Sequence, residues 1–400
     1  MTRTTYKPAN TVLISGASIA GPTLAHWLRR FGFTPTVIER SPVPRPGGQA
    51  VDVRGVALEV ADRMGVLPQL RAAKTGMRGM AFVDADGVEV MSTTEMSLTG
   101  GPTASPDVEI LRDDLSEILL AATEGVEYVY GDTITGLTQH DGGVDVTFAS
   151  GEPRTFDLVI GADGLHSGVR RIAFGPESDC ISHLGSYLAV FSTPNFLDLD
   201  HWQVFQQSPG KMSGIYSARH NTEARVVMGY ESEQIEYDHR DVDQQKKLIA
   251  TAFAGDRWEV PRLIELMADA PDFYFDSMSQ IHLASWSRGR VGLVGDAGYC
   301  ASPLSGQGTS LAMVGAYVLA GELRAAGGDH VAGFARYQAE MTDYVRANQQ
   351  LALTNAEATR QAAEQLAAGT DGADDAAEEQ IEEHWVATAA TALTLKDYAS

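Results

Sequence analysis

The chemistry in this sequence gathers around glycines and carboxylates set at the predicted ends of strands. In "TVLISGASIAGPTLAHWLRRFGFTPTVIER" (residues 11–40), Gly16, Ser18 and Gly21 follow an apolar run and open a helical pattern. This is the arrangement that cradles a pyrophosphate. Gly16 permits a tight turn, and Gly21 lets the helix approach the sheet. The free N–H groups of the helix start, among them those beside Ala20, face an anion. Ser18 stands where the usual pattern has its middle glycine, and its hydroxyl is suited to a helix cap or a phosphate contact. Glu39 ends the next predicted strand, the place for an acid that binds ribose hydroxyls. The glycines alone would also suit a helix start in an unrelated α/β fold; the complete strand–turn–helix–strand–acid context favours a dinucleotide site.

Two further stretches repeat the design. In "DLVIGADGLHSGVRR" (157–171) a buried strand runs into Gly161, and Asp163-Gly164 make a sharp turn at the carboxyl edge of a sheet, where α/β folds bind ligands. In "GRVGLVGDAGYCASPLSGQGTSLAM" (289–313) a strand ends at Gly295 and Asp296 projects beyond it. Pro303, Gly306, Gln307 and Gly308 then open a helix whose N-terminus can stabilise negative charge. Arg112, in the first turn of "RDDLSEILL", is unfavourable for the helix dipole; its spacing suits a surface charge as well as a ligand contact.

These residues need particular elements to hold them. The spacing predicts a βαβ unit: a strand over 10–15, a helix over 18–31 and a strand over 35–39. "GVALEVADRMGV" reads as a helix, "AFVDADGVEVMS" (81–92) as a hairpin around Asp-Gly, and 111–122 as an amphipathic helix. Short strands fill 126–160. Between 180 and 285 aromatic, Thr, Ser and Gln residues increase, predicting an antiparallel sheet interrupted by one helix near 243–254. Residues 308–323 predict a buried helix, and 330–365 are helical. The expected fold class is α/β: a Rossmann-like nucleotide-binding domain (1–175 and 285–345), an inserted, mostly antiparallel β domain (176–284, with 78–110 a candidate addition) and a C-terminal helical segment (346–400) with an acidic tail.

Composition narrows the partners. The chain of 400 residues carries a net charge of −23, which argues against nucleic acid and against anionic membrane surfaces. There is no apolar run of spanning length and no leader-like segment, so a cytoplasmic protein is expected. Cys180 and Cys300 suit neither a disulfide framework nor a metal-spacing motif, and no metal is expected. Between Gln365 and Leu395 stand seven acids and no Lys or Arg, the pattern of a solvated helix and loop.

Taken together and in this order, the three motifs resemble the single-component FAD-dependent aromatic hydroxylases related to para-hydroxybenzoate hydroxylase, a group that includes tetracycline-inactivating and polyketide-tailoring monooxygenases. The likeness covers roughly 10–175 and 285–345. It implies FAD as cofactor: Gly16, Ser18, Ala20 and Gly21 at the pyrophosphate, Glu39 and Arg40 at the adenosine half, and Arg112 on the FAD. It places Asp163 near both FAD and the nicotinamide cofactor, Asp296 on the ribityl chain, and Pro303, Gly306, Gln307 and Gly308 beside the isoalloxazine. Gly47 and Gly48 match a flexible segment near the flavin. Gly298 and Tyr299 depart from the Ala-His common among relatives.

The resemblance further implies NADPH or NADH as a transient electron donor, O2 as co-substrate, and a flavin C4a-hydroperoxide that hydroxylates or epoxidises a small aromatic or polyketide-like substrate. No side chain is required as acid or base, and lone His220 and His282 are weak candidates. Phe191, Phe205, Met228 and Tyr230 are candidate pocket residues, core being the plainer reading of each. A monomer or a homodimer fits. A halogenase is excluded because none of the five tryptophans stands in a W-x-W-x-I-P context. A flavin-dependent dehydrogenase or reductase, and a non-catalytic flavin or ligand-binding protein, stay open.

Overall fold

The computed structural model describes residues 10–98, 101–368 and 386–398. The seven acids between Gln365 and Leu395 lie outside the described residues.

The run Thr11–Ser15 is apolar without alternation because it is covered on both faces. Val12, Leu13 and Ile14 are at most 1% exposed. It is central to a six-stranded sheet ordered 287–288, 291–293, 158–161, 11–15, 34–39 and 127–130. Val12 pairs with Leu158 and Thr11 with Thr34, both in parallel register. The helix Ala20–Arg30 makes the crossover, and its apolar face joins Gly308–Ala325 and His330–Ala368 over one side of the sheet. The other side is closed by a three-stranded antiparallel layer (Ile134–His140, Gly143–Phe148, Arg154–Phe156), whose Val144, Val146 and Phe156 pack on Leu13, Ile38 and Val159.

Gly308–Ala325 is apolar nearly all round and is buried accordingly. Leu311, Met313, Val314, Val318, Leu319 and Leu323 are at most 1% exposed, each worth about 1.5–3 kcal/mol of burial. Gly315 is required inside it: a Cβ there would lie 1.9 Å from the Tyr299 hydroxyl. That hydroxyl accepts from Tyr337 at 2.8 Å, so Tyr299 plugs the core.

The second sheet has seven strands ordered 274–281, 181–194, 223–231, 211–218, 203–208, 80–83 and 89–93. Met80–Val83 and Glu89–Thr93 reach it from the 78–110 stretch, the former pairing parallel with Gln203–Ser208. Two helices cover its outer face, Val242–Ala252 and Val260–Ala268, rather than the one the sequence pattern suggested. Asp241 caps the first, accepting from the Gln244 N–H at 2.9 Å, and Pro261 sits at the start of the second. The C-terminal helix His330–Ala368 runs unbroken through position 346.

Candidate functional site

Three strands of the parallel sheet end together. Thr11–Ser15 runs into Gly16, Leu158–Gly161 into Asp163, and Val291–Leu293 into Gly295 and Asp296. Their in-register pairing makes this convergence a consequence of the fold, because adjacent parallel strands must turn at the same edge.

The first turn leaves no room for side chains. Gly16 has φ +108°, and a Cβ on it would stand 2.4 Å from the Ala162 carbonyl oxygen. A Cβ on Gly21 would stand 1.9 Å from the Gly16 carbonyl oxygen. Ser18 is exposed; its hydroxyl accepts from Arg112 Nη1 at 3.4 Å, and its carbonyl accepts from Ser116 at 3.3 Å. Glu39 curls back to this turn: one carboxylate oxygen accepts from the Ala17 N–H and the other from the Ser41 N–H, both at 2.9 Å. Arg40 is exposed.

Arg112 is only 6% exposed, although it begins a helix. Strand Val108–Leu111 carries it inward, where its Nη2 donates to the carbonyls of Arg45, at 2.8 Å, and Gly47. Burial, then the nearby Arg45 charge, lower its pKa to about 10. Its Nε has no hydrogen-bond partner among the described residues. The segment it grips is held from the opposite side by the seven-stranded sheet. Arg225 Nε donates to the Gly48 carbonyl at 3.1 Å, and the Tyr216 hydroxyl accepts from the Ala50 N–H at 2.8 Å.

The two carboxylates differ. Asp163 is turned into its own element, accepting from Ser167 Oγ at 2.5 Å and from the Val169 N–H at 3.1 Å, and burial raises its pKa. It therefore fastens the turn to the helix Gly168–Ala173. Asp296 is pushed up to about 6 by burial, partly offset by a hydrogen bond from Cys300, with Asp276 adding to the rise. A Cβ on Gly308 would come within 3.9 Å of Asp296 Oδ1, which puts this carboxyl beside the start of Gly308–Ala325. Gly306 (φ +62°) and Pro303 are exposed there, while Gln307 is fully buried with neither amide atom partnered among the described residues.

The sheet corrects the pocket residues. Phe191, Met228 and Tyr230 point to the outer face and pack with Ile249, Phe253 and Leu263 of the two helices. They belong to that core, Tyr230 at its edge, on the side of the sheet away from Ala50. The reason is parity: Val190 and Val227, their chain neighbours, face Ala50 on the inner side. Phe205 lies on the inner face, since it pairs with Gly214 and Gly214 with Val227; its ring fills the space a Cβ on Gly214 would take. His220 is exposed in a hairpin turn, and His282 bonds the Gln280 side chain at 3.1 Å, its pKa lowered by burial.

Sequence reasoning missed Tyr216, Arg225, Arg45 and Tyr274. The Arg45 guanidinium lies 5.5 Å from the centre of the Tyr274 ring. Tyr274 is half-buried, and desolvation, then Asp276, drive its pKa well above the ordinary value. An Arg at an inward-facing position of the alternating "EARVVMGYE" was the available signal for Arg225.

A family model described as an FAD binding domain matches residues 9–352. A flavin-dependent monooxygenase from an unknown prokaryotic organism is 44% identical over 338 residues, 84% of this chain and 87% of that protein. The chain belongs to the FAD-dependent monooxygenase family. Within this family, an uncharacterized protein of Mycobacterium tuberculosis (strain ATCC 25618 / H37Rv), Rv1260, is 53% identical over 346 residues, covering 86% of this chain and 93% of its own. The crystal structure of the tetracycline destructase Tet(51) superposes with a TM-score of 0.88 at 35% identity, over 98% of this chain and all of that one. The family's cofactor fits the residues present. A loop that would exclude any Cβ at Gly16 and Gly21, a buried Arg112 with a spare donor and a buried unpartnered Gln307 amide are what a bound dinucleotide requires. No helix among the described residues is long and apolar enough to cross a membrane.

Proposed function

We propose that this FAD-dependent monooxygenase takes electrons from NADPH or NADH and hydroxylates or epoxidises a small aromatic or polyketide-like substrate with O2. The observation that carries the reading is the convergence of Gly16, Asp163 and Asp296 at one edge of the parallel sheet. The similarity to a tetracycline destructase supports a polycyclic, oxygen-rich substrate.

In this reading the backbone around Gly16, Ser18, Ala20 and Gly21 and the start of Ala20–Arg30 hold the pyrophosphate, Glu39 and Arg40 the adenosine end, and Asp296 the ribityl chain. Bound FAD supplies the redox and oxygen chemistry. Gly306, Gln307 and Gly308, at the positive end of Gly308–Ala325, with Pro303, would stabilise negative charge on the bound ring system. Arg112 and Arg225 hold the segment from Arg45 to Ala50, with Gly47 and Gly48, in one conformation against the site. Asp163 holds the turn through Ser167. The inner sheet face, with Phe205, Tyr216 and Tyr274, walls the substrate from water.

The test is a screen of FAD-loaded protein against polycyclic phenols and aromatic polyketides. NADPH or NADH oxidation, dissolved O2 and product mass are followed together, using isotopically labelled O2. Substrate-stimulated turnover with one labelled oxygen in the product is expected. Turnover that transfers electrons without incorporating label would instead establish a dehydrogenase or reductase. Failure to retain FAD would leave a ligand-binding protein.

A further inference from the structure

Away from the glycine loop, His166, Glu177 and His239 come together from separate parts of the chain. One potential ligand atom of each lies within 4.8 Å of the others. His166 and Glu177 flank the short helix Gly168–Ala173 of the nucleotide-binding unit, and His239 stands on the connection between strand Glu223–Glu231 and helix Val242–Ala252 of the other unit.

We propose that His166, Glu177 and His239 form a binding site for a borderline divalent cation such as zinc, which clamps the two units together. Two imidazoles and one carboxylate are the donor set of an open zinc site, with water completing the coordination. Hard cations such as Ca2+ and Mg2+ prefer all-oxygen sites.

The supporting shell is already in place. His166 Nε2 lies 3.0 Å from Asp276 Oδ1, which fixes the ring and leaves Nδ1 directed at Glu177 Oε1, 2.8 Å away. A carboxylate behind a ligating histidine is the usual outer contact of a metal site. Asp276 is itself fixed: it is 8% exposed and accepts from the Ser277 N–H at 2.8 Å and from the hydroxyls of Tyr237 and Tyr274 at 3.3 Å. The second oxygen of Glu177 is held by Arg170, whose side chain is 1% exposed. His239 is exposed; its ring lies tilted against His166, 3.7 Å between centroids, and meets Tyr237 edge-on at 4.4 Å. No hydrogen bond engages its nitrogens among the described residues. On binding, the cation takes the place of the His166 Nδ1 proton, which leaves to water.

Tag-free, FAD-loaded protein is stripped with a chelator and titrated with zinc by calorimetry, and its Tm is measured with and without the ion. Wild type is expected to bind one zinc per chain and to gain Tm. His239→Ala, a change at an exposed side chain, is expected to lose both effects, its Tm gain being read against its own zinc-free Tm. Asp276→Asn is expected to weaken binding by about 10–100-fold. Equal zinc binding by wild type and His239→Ala, or none by wild type, would overturn the site and leave the cluster as a network of ion pairs.

Discussion

Arg112 lies so close to Gly48 that a Cβ on the glycine would stand 2.5 Å from its Nε. Gly48 also has φ +115°, so this position admits glycine for two independent reasons. The contact joins the first helical residue after Val108–Leu111 to the segment that Arg225 grips from the other sheet. Arg112→Lys keeps the charge and loses the fork that reaches the Arg45 and Gly47 carbonyls. It should weaken FAD binding by about tenfold, the loss of one charge-assisted hydrogen bond, and expose residues 45–50 to limited proteolysis. Unchanged affinity together with unchanged cleavage would show that the clasp does not position the cofactor.

Gly21→Ala asks the helix Ala20–Arg30 to move off the Gly16 carbonyl, 1.9 Å from the new Cβ. Overpacking of this kind costs about 1–3 kcal/mol, and here the displacement also opens the pyrophosphate turn. Lower Tm and a lower flavin-to-protein absorbance ratio are expected. A purified variant with full FAD and wild-type Tm would refute the role assigned to the loop.

Ser18→Gly should be nearly silent. Ser18 is exposed, and among the described residues its hydroxyl makes only the 3.4 Å contact with Arg112. A change in FAD affinity below about 0.5 kcal/mol is expected, as for glycine replacing serine at a helix start. A large loss, read by fluorescence titration, would assign the hydroxyl a direct part in phosphate binding.

Asp296 should leave a pH signature in the FAD-free protein. Burial pushes its carboxyl to about 6, above its value in an unfolded chain. As pH rises through this window the unfolded state releases the proton first, so folding stability falls until the folded carboxyl also ionises, and then levels. The stability of wild type relative to Asp296→Asn should therefore drop by about 1 kcal/mol between roughly pH 5 and pH 7. Urea unfolding at the two pH values measures it; a constant difference would mean that the folded carboxyl ionises normally.

The sequence by itself determined the parts that rest on local rules. The βαβ unit, the apolar runs ending in Gly16, Gly161 and Gly295, and the carboxylates beyond them were legible because strand burial and turn chemistry are written in adjacent residues. The FAD family followed from those motifs in order. Only the tertiary structure decided which parity of the inserted sheet faces the site. Alternation separates Val190 from Phe191, but both faces of this sheet are covered, one by helices and one by the nucleotide unit, so both parities are apolar. The second outer helix was marked only by Gly255 and Pro261, too weak a break in an aromatic-rich stretch. The hold of Arg225 and Tyr216 on residues 48–50, and the meeting of His166, Glu177, His239 and Asp276, join positions up to 177 residues apart. Such contacts have no local signal, because they exist only once the two sheets are packed against each other.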